Sequence, residues 1–216
     1  VIIDISQGML DKASEKAEKV GVSELVECRK GNFESIPCPK ESFDVVLCDA
    51  DALGLTENPQ KALSEFNRVL IRGGILLLGV SNTLNLIIVK TMSKKSLNGI
   101  SDYLDSLLHR EPSPKALGQY YGVDTLTSET SPQFVTFTPQ QIERMLQESG
   151  FSDIAILPRI SFTDYLDHSV LKQADKDQEL FDRIVNLEER VMQIEESAAL
   201  GGHLLIKAKK RPQPSP

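Results

Sequence analysis

Short apolar runs alternate with amphipathic stretches along this chain. Four runs are apolar enough to be strands of a parallel sheet, which is buried on both faces; they are 1–3, 25–29, 43–48 and 75–80. Between them, stretches 7–20 and 59–70 repeat apolar residues at helical spacing. Ser6 and the pair Asn58–Pro59 stand where helices start. This alternation predicts an α/β fold with a mostly parallel sheet.

The second half of the chain changes its rhythm before it returns to strands and helices. Residues 82–137 mix helical pieces with a Ser- and Thr-rich loop, and we predict an inserted cap, a substrate lid over a site. The elements predicted after it are a helix at 138–147, a strand at 154–157, a long helix at 172–197 and a last strand at 203–209. We therefore predict one domain over residues 1–210 and a disordered tail at 211–216.

Composition and charge exclude several classes of function. The 216 residues carry a net charge of −7, which argues against a broad nucleic-acid face. No apolar run approaches the roughly 18 residues that span a bilayer, so we predict no membrane partner and a cytoplasmic location. Cys28, Cys38 and Cys48 predict reduced thiols, and their spacing predicts no metal site.

Polar side chains follow the predicted strands at their carboxyl ends, where open parallel sheets bind ligands. They are Asp4, Asn32, Asp49 with Asp51, and Asn82. A carboxylate at the end of the first strand can accept hydrogen bonds from both hydroxyls of a ribose. It can equally serve as a charge or cap at the start of the following helix. Asp49 and Asp51 could act as a base, bind a cation or cap the next segment, although two acids alone are weak support for a metal site.

Four stretches together resemble class I S-adenosylmethionine-dependent methyltransferases of the small-molecule type. They are VIIDISQGMLDKA, GNFESIPCPKESFDVVLCDADAL, NPQKALSEFNRVLIRGGILLLG and FTPQQIERMLQESGFSDIAI. The resemblance implies a Rossmann-like sheet that is mostly parallel, with a C-terminal antiparallel strand at GGHLLIKAKK. It also implies methyl transfer from S-adenosylmethionine to an acceptor, which the acidic charge and the inserted cap suggest is a small molecule.

The resemblance implies roles for individual residues. Asp4 matches the acid that binds the ribose, and Ile5 and Met9 match apolar neighbours of the adenine. Asn32 and Phe33 match the pair beside the adenine, where the family commonly has Asp-Ala. Cys48 and Asp49 match residues near the methionine part and the transferring methyl of S-adenosylmethionine. Asp49 is the candidate catalytic residue.

Contacts with the acceptor are predicted from position alone. Asn82 follows a strand end, and His109, Tyr120 and Tyr121 lie in the predicted cap. Each of these side chains could contact an acceptor, although a surface or core role is more common for any one of them.

One part of the family pattern has no counterpart here. The family carries a glycine-rich loop after its first strand, just before the strand that matches Val1–Ile3. We therefore expect the chain to be a fragment without the family's first strand and first helix. Alone, it is expected to be inactive and to bind S-adenosylmethionine weakly or not at all. The alternative is that the strands flanking this position pair directly and form a six-stranded sheet.

Two other functions remain open at the level of sequence. NAD-dependent oxidoreductases also place an acid at the end of the second strand, as Asp4 would be. A non-catalytic binding protein could use the same fold, and the absent glycine-rich loop favours that alternative.

Overall fold

A computed structural model describes residues 1–85, 135–159 and 166–212 of the protein. The strands are β1 Ile2–Asp4, β2 Cys28–Lys30, β3 Phe43–Cys48, β4 Leu70–Ser81, β5 Phe151–Arg159 and β6 His203–Lys210. The helices are α1 Gln7–Lys19, α2 Pro59–Val69, α3 Pro139–Glu148, α4 His168–Ala174 and α5 Gln178–Val191. Short 3₁₀ turns occupy Ser23–Leu25, Ala52–Leu55 and Glu195–Ala199.

The strands confirm the predicted α/β class. β1 pairs in parallel with β2, and β3 pairs in parallel with β4. β6 lies between β4 and β5 and is antiparallel to both, so the four-stranded sheet has the order β3-β4-β6-β5. The C-terminal antiparallel strand is therefore where the sequence predicts it.

The sheet is divided between β1 and β3. Over the described residues, β1 and β2 form a sheet of two strands and β3 is an edge of the other sheet. The alternative in which β1 and β3 pair directly is therefore wrong.

The predicted burial of β3 is wrong on one side. Val45 is 50% exposed and Leu47 is 70% exposed, whereas Cys48 is buried. Parallel strands of an α/β sheet are apolar on both faces because helices cover both. In the described part of the chain, the face that carries Val45 and Leu47 has no such cover, and this explains why an apolar sequence is exposed.

The core lies on the opposite face of the four-stranded sheet. Leu76, Leu78 and Val80 of β4 form one buried cluster with Phe66 of α2 and Leu146 of α3. These five residues are each 2% exposed or less. Full burial of an aliphatic or aromatic side chain contributes about 1.5–3 kcal/mol, so this face accounts for much of the stability of the sheet.

The predicted helix starts are confirmed by side-chain caps. Ser6 accepts a hydrogen bond from the Met9 amide, and Asn58 accepts one from the Lys61 amide. Thr138 forms a capping box with Gln141, in which each side chain accepts from the other's backbone N–H.

Two predicted elements are corrected. The strand expected at 25–29 begins later, because Ser23–Leu25 is a 3₁₀ turn and β2 starts at Cys28. The long helix expected at 172–197 is instead α4, α5 and a 3₁₀ turn. The break has a local cause, since the Asp177 side chain accepts from the Leu180 amide and starts a new helix.

Candidate functional site

A cleft of about 420 Å³ separates the two sheets. Its lining is mainly apolar and comes from β1, β3, the loop before β3 and α2. Of the predicted site residues, Phe33, Cys48 and Asp49 line this cleft. Asp4, Ile5 and Met9 lie together where β1 runs into α1, and they are not part of the cleft lining.

Asp4 is the last residue of β1 and is half-buried. Its Oδ1 accepts a hydrogen bond of 2.8 Å from the Ser6 amide. This bond stabilises the turn into α1, as the capping alternative predicts. A carboxylate has about four lone-pair sites on two oxygens, so a ribose hydroxyl can still be accepted. The geometry of Asp4 is therefore compatible with both proposed roles, ribose binding and capping of α1.

Ile5 and Met9 present apolar surface beside Asp4. Ile5 is 70% exposed and Met9 is 55% exposed. Exposed apolar side chains next to a carboxylate at a strand end can cover one face of an adenine ring. Their position fits the predicted role, which stays a prediction.

Asn32 and Phe33 differ in what they offer. Asn32 is exposed, and its Oδ1 accepts from the Glu34 amide at 2.9 Å. That oxygen has a second lone pair for an exocyclic amine. The Phe33 ring packs edge-on against Phe66 with centroids 5.8 Å apart, so this side chain belongs to the core wall of the cleft. Phe33 can contact a ligand through its backbone N–H or through the ring edge.

Cys48 is a buried thiol at the end of β3. It is 5% exposed, and burial raises its pKa to about 12. The thiol is therefore protonated at neutral pH and is a poor nucleophile. Its contribution to the site is shape rather than reactivity.

Asp49 follows Cys48 and stands over Gly79 of β4. A Cβ at Gly79 would overlap with Asp49 Oδ1, so a larger residue at this position would displace the carboxylate. Asp49 Oδ2 is 3.4 Å from Arg159 Nη1, and both side chains are about half exposed. The carboxylate is thus held at the carboxyl edge of β3 and β4 while it stays open to solvent.

Arg68 and Glu65 of α2 hold the loop that forms one wall of the cleft. Arg68 donates to the carbonyls of Ile36 and Cys38 at 2.9 and 2.8 Å. Glu65 accepts from the Ile36 amide at 2.8 Å and pairs with Arg68 at 2.6 Å. The hydrogen bond from Arg68 lowers the pKa of Glu65. Sequence analysis missed this pair, because its partners lie about 30 residues away.

Asn82 has a structural role in the described residues. It is fully buried, and its amide nitrogen donates to the carbonyls of Ala198, Ala199 and Gly201. Its Oδ1 accepts from the Leu84 amide. This geometry favours a structural role over the predicted contact with an acceptor.

The other predicted acceptor contacts, His109, Tyr120 and Tyr121, lie outside the described residues. So does most of the segment predicted as a cap, and the cap stays a prediction. Its two ends are described and meet at the end of β4. The amide of Thr83 donates to Phe137 O, and the amide of Phe137 donates to Ser81 O, both at 3.0 Å.

Three residues that the sequence did not bring together meet at this same edge. His203 Nδ1 is 3.4 Å from Asp51 Oδ2, and His203 lies directly opposite Ser81 in the pairing of β6 with β4. The sequence does not indicate this contact, because His203 is about 150 residues from Asp51 in the chain. In the parts of the chain that the structure describes, no three His, Cys, Asp or Glu side chains are grouped to hold a metal ion. No described helix could cross a membrane.

The sequence is similar to known methyltransferases. Residues 1–78 match a family model described as a methyltransferase domain. The chain is 39% identical over 72 residues to the biotin biosynthesis bifunctional protein BioHC of Teredinibacter turnerae, covering 33% of this chain and 12% of that protein. It is 27% identical over 157 residues to the ubiquinone/menaquinone biosynthesis C-methyltransferase UbiE of Escherichia fergusonii, covering 71% of this chain and 57% of that protein. The chain thus spans well under two thirds of these relatives.

Solved structures share the fold at low sequence identity. A putative methyltransferase from Bacillus halodurans has a TM-score of 0.54 and 22% identity, and the match covers 97% of this chain and 82% of that one. An S-adenosylmethionine-dependent methyltransferase from Thermotoga maritima, a possible histamine N-methyltransferase, has a TM-score of 0.51 and 17% identity, with coverages of 97% and 72%. In its sequence over residues 1–78 and in its fold, the chain therefore resembles the class I S-adenosylmethionine-dependent methyltransferases, as the sequence predicted.

Proposed function

We propose that the gene product containing this chain transfers a methyl group from S-adenosylmethionine to a small-molecule acceptor. The observation that carries the proposal is the placement of acids at the carboxyl ends of two parallel-sheet strands. Asp4 ends β1, and Asp49 directly follows β3 on the other side of the cleft. Ligands of open α/β sheets bind at such strand ends.

The described residues fit the adenosine part of S-adenosylmethionine. Asp4 has carboxylate lone pairs for ribose hydroxyls, and the exposed side chains of Ile5 and Met9 offer apolar cover for the adenine. Asn32 retains a lone pair for the exocyclic amine. When bound, S-adenosylmethionine supplies an electrophilic methyl on a sulfonium.

Asp49 is suited to charge stabilisation near that sulfonium. Its carboxylate is held beside Arg159 and above Gly79, at the edge between β3 and β4. A fixed negative charge favours binding of a nearby cation, whereas alignment with exclusion of water provides most of the rate enhancement. The cleft residues Phe33 and Cys48 provide apolar, unreactive walls for such a site.

Isothermal titration calorimetry with S-adenosylmethionine tests the proposal. The full-length gene product is expected to bind it, and Asp4→Asn is expected to weaken binding by about tenfold or more, since a charge-assisted hydrogen bond is lost. The matched control is Asp11→Asn, at an exposed acid on α1 that accepts a hydrogen bond from the Gln7 side chain. This variant should bind as the wild type does. Binding of NADH in place of S-adenosylmethionine would overturn the proposal and favour an oxidoreductase.

The 216-residue chain gives a second measurement. The divided sheet leads us to expect weak or undetectable binding of S-adenosylmethionine to this chain alone. Micromolar binding to it would contradict that expectation without affecting the proposed activity.

A further inference from the structure

A buried polar cluster lies at the carboxyl ends of β3 and β4, apart from the residues assigned to the cofactor. Asp51 is 7% exposed and Ser81 is 2% exposed. Asp51 Oδ1 and Ser81 Oγ have no hydrogen-bond partner among the described residues. Buried polar atoms in native proteins are nearly always paired, so two unpaired oxygens at one sheet edge point to a ligand that supplies hydrogen-bonding groups.

His203 joins the two oxygens into one site. Ser81 and His203 are direct partners in the antiparallel pairing of β4 and β6, which places their side chains on the same face of the sheet. Asp51 Oδ2 is 3.4 Å from His203 Nδ1, and the side chains are 10% and 23% exposed. A carboxylate on Nδ1 orients an imidazole and stabilises its protonated form, which suits Nε2 to accept a proton.

The usual structural role of an acid at the position of Asp51 is not fulfilled. Asp51 is the N-cap residue of the 3₁₀ turn Ala52–Leu55, but its side chain makes no capping hydrogen bond. Ala50 and Asp51 both adopt left-handed backbone conformations, with φ of 55° and 59°. Such conformations are unfavourable for residues other than glycine and are concentrated at functional sites. The backbone is strained while the carboxylate contacts His203 instead of the helix end.

Two charged residues of the described part of the chain face His203, one from β5 and one from the turn after β3. Arg159 is its register partner on β5, and Arg159 pairs with Asp49. Asp51 contacts the imidazole from the turn after β3. The positive charge of Arg159 is therefore offset by the negative charge of Asp49, and Asp51 is an acid in direct contact with the imidazole.

We propose that Asp51, Ser81 and His203 form the acceptor subsite and that its substrate is a small molecule with an acidic hydroxyl, a phenol or an enol. This inference rests on the proposed methyl transfer. His203 Nε2 takes the hydroxyl proton as the acceptor oxygen bonds to the methyl carbon. The carbon–sulfur bond breaks, and its electron pair stays on sulfur, which becomes a neutral thioether. The positive charge thus passes from the sulfonium to the imidazolium. Asp51 is a positioning residue, and Ser81 hydrogen-bonds the acceptor.

The contact between Asp51 and His203 is tested on the 216-residue chain by NMR titration of the imidazole signals. Asp51→Asn is expected to lower the proton affinity of His203 by about tenfold, because the carboxylate favours the imidazolium. His168 is exposed at the start of α4, and its imidazole signals serve as an internal control. An unchanged His203 titration in Asp51→Asn would overturn the inference.

The acceptor class is tested on the full-length gene product with S-adenosylmethionine. Catechol, 1,4-naphthohydroquinone and benzylamine are the probes, and S-adenosylhomocysteine formation is the readout. Methylation is expected with the two hydroxyl compounds. His203→Gln should lower kcat about 10²-fold or more without changing the KM for S-adenosylmethionine, the size of a typical general-base contribution. Asp51→Asn should lower kcat less than His203→Gln does. Its kcat should recover as the pH is raised and the acceptor ionises.

The outcomes separate this inference from the proposed function. Methylation of benzylamine alone, methylation of no probe, or an undiminished kcat in His203→Gln would each overturn the subsite, even if S-adenosylmethionine binds. Failure of S-adenosylmethionine to bind the full-length gene product overturns the proposed function itself. Asp4→Asn provides the converse control, since it should raise the KM for S-adenosylmethionine and leave the titration of His203 unchanged.

Discussion

The Arg68–Glu65 pair provides a quantitative test of how the cleft wall is held. Arg68→Met removes the donors to the carbonyls of Ile36 and Cys38 and leaves Glu65 without its cation. A hydrogen bond to a charged group contributes about 1.5–3 kcal/mol. Because the Arg68 side chain is 35% exposed, solvent lowers each contribution, and the expected loss for the variant is about 2–4 kcal/mol.

Urea denaturation followed by far-UV circular dichroism measures this loss, since the chain has no tryptophan for fluorescence. The matched control is Arg144→Met on α3. Arg144 is 3.9 Å from Glu148, both side chains are about half exposed or more, and such a surface pair contributes about 0–1 kcal/mol. Equal losses for Arg68→Met and Arg144→Met would refute the argument from buried carbonyl partners.

The same pair predicts a pH dependence. The hydrogen bond from Arg68 lowers the pKa of Glu65 in the folded protein, so the ionised form is favoured by folding. The stabilisation is complete above the unfolded pKa of about 4.3 and is lost as the pH falls through the folded value. The difference in stability between wild type and Glu65→Gln should therefore shrink from pH 6 to pH 3. A difference that stays constant over this range would contradict the assignment.

Three further variants test the backbone, a cap and the open face of β3. Gly150 has φ of +88°, so Gly150→Ala should cost about 1–2 kcal/mol in thermal melts. At Gly8 on α1 a Cβ would lie at an ordinary 4.0 Å from Ser6 Oγ, so Gly8→Ala should stabilise by about 0.4–1 kcal/mol in the same melts. Thr138→Ala removes the capping box of α3 and should cost about 1 kcal/mol in urea denaturation. Leu47→Lys should change stability by less than about 0.5 kcal/mol and should reduce self-association in sedimentation velocity, because Leu47 is 70% exposed on an edge strand. Leu78→Lys, on the buried face, should instead abolish cooperative unfolding, and unfolding as cooperative as in wild type would contradict the assignment of faces.

The local signals in the sequence were sufficient for most elements. Ser6, Asn58 and Thr138 start helices because their side chains satisfy free amides within three residues, which is a property of the local sequence. β3 was placed at its observed bounds because its largely apolar run is also visible in the local sequence. The single long helix was wrong because Asp177 caps a new start in the middle of a helical pattern.

The site was predictable where it depends on position along a strand. Asp4 and Asp49 could be placed because the end of an apolar run is visible in the sequence. Whether a polar side chain at such a position faces a ligand depends on contacts across the chain. Asn82 occupies such a position, but its side chain donates hydrogen bonds to carbonyls more than 110 residues away in the chain.

The sequence alone therefore determined the α/β order of elements, the helix starts, and the acids at the strand ends, because each follows from residues that are neighbours in the chain. The tertiary structure alone decided the rest. It divided the sheet between β1 and β3, exposed Val45 and Leu47, and brought His203 to Asp51 and Ser81. Strand pairing and the covering of a sheet face depend on which distant segments meet, and no periodicity within one segment records that.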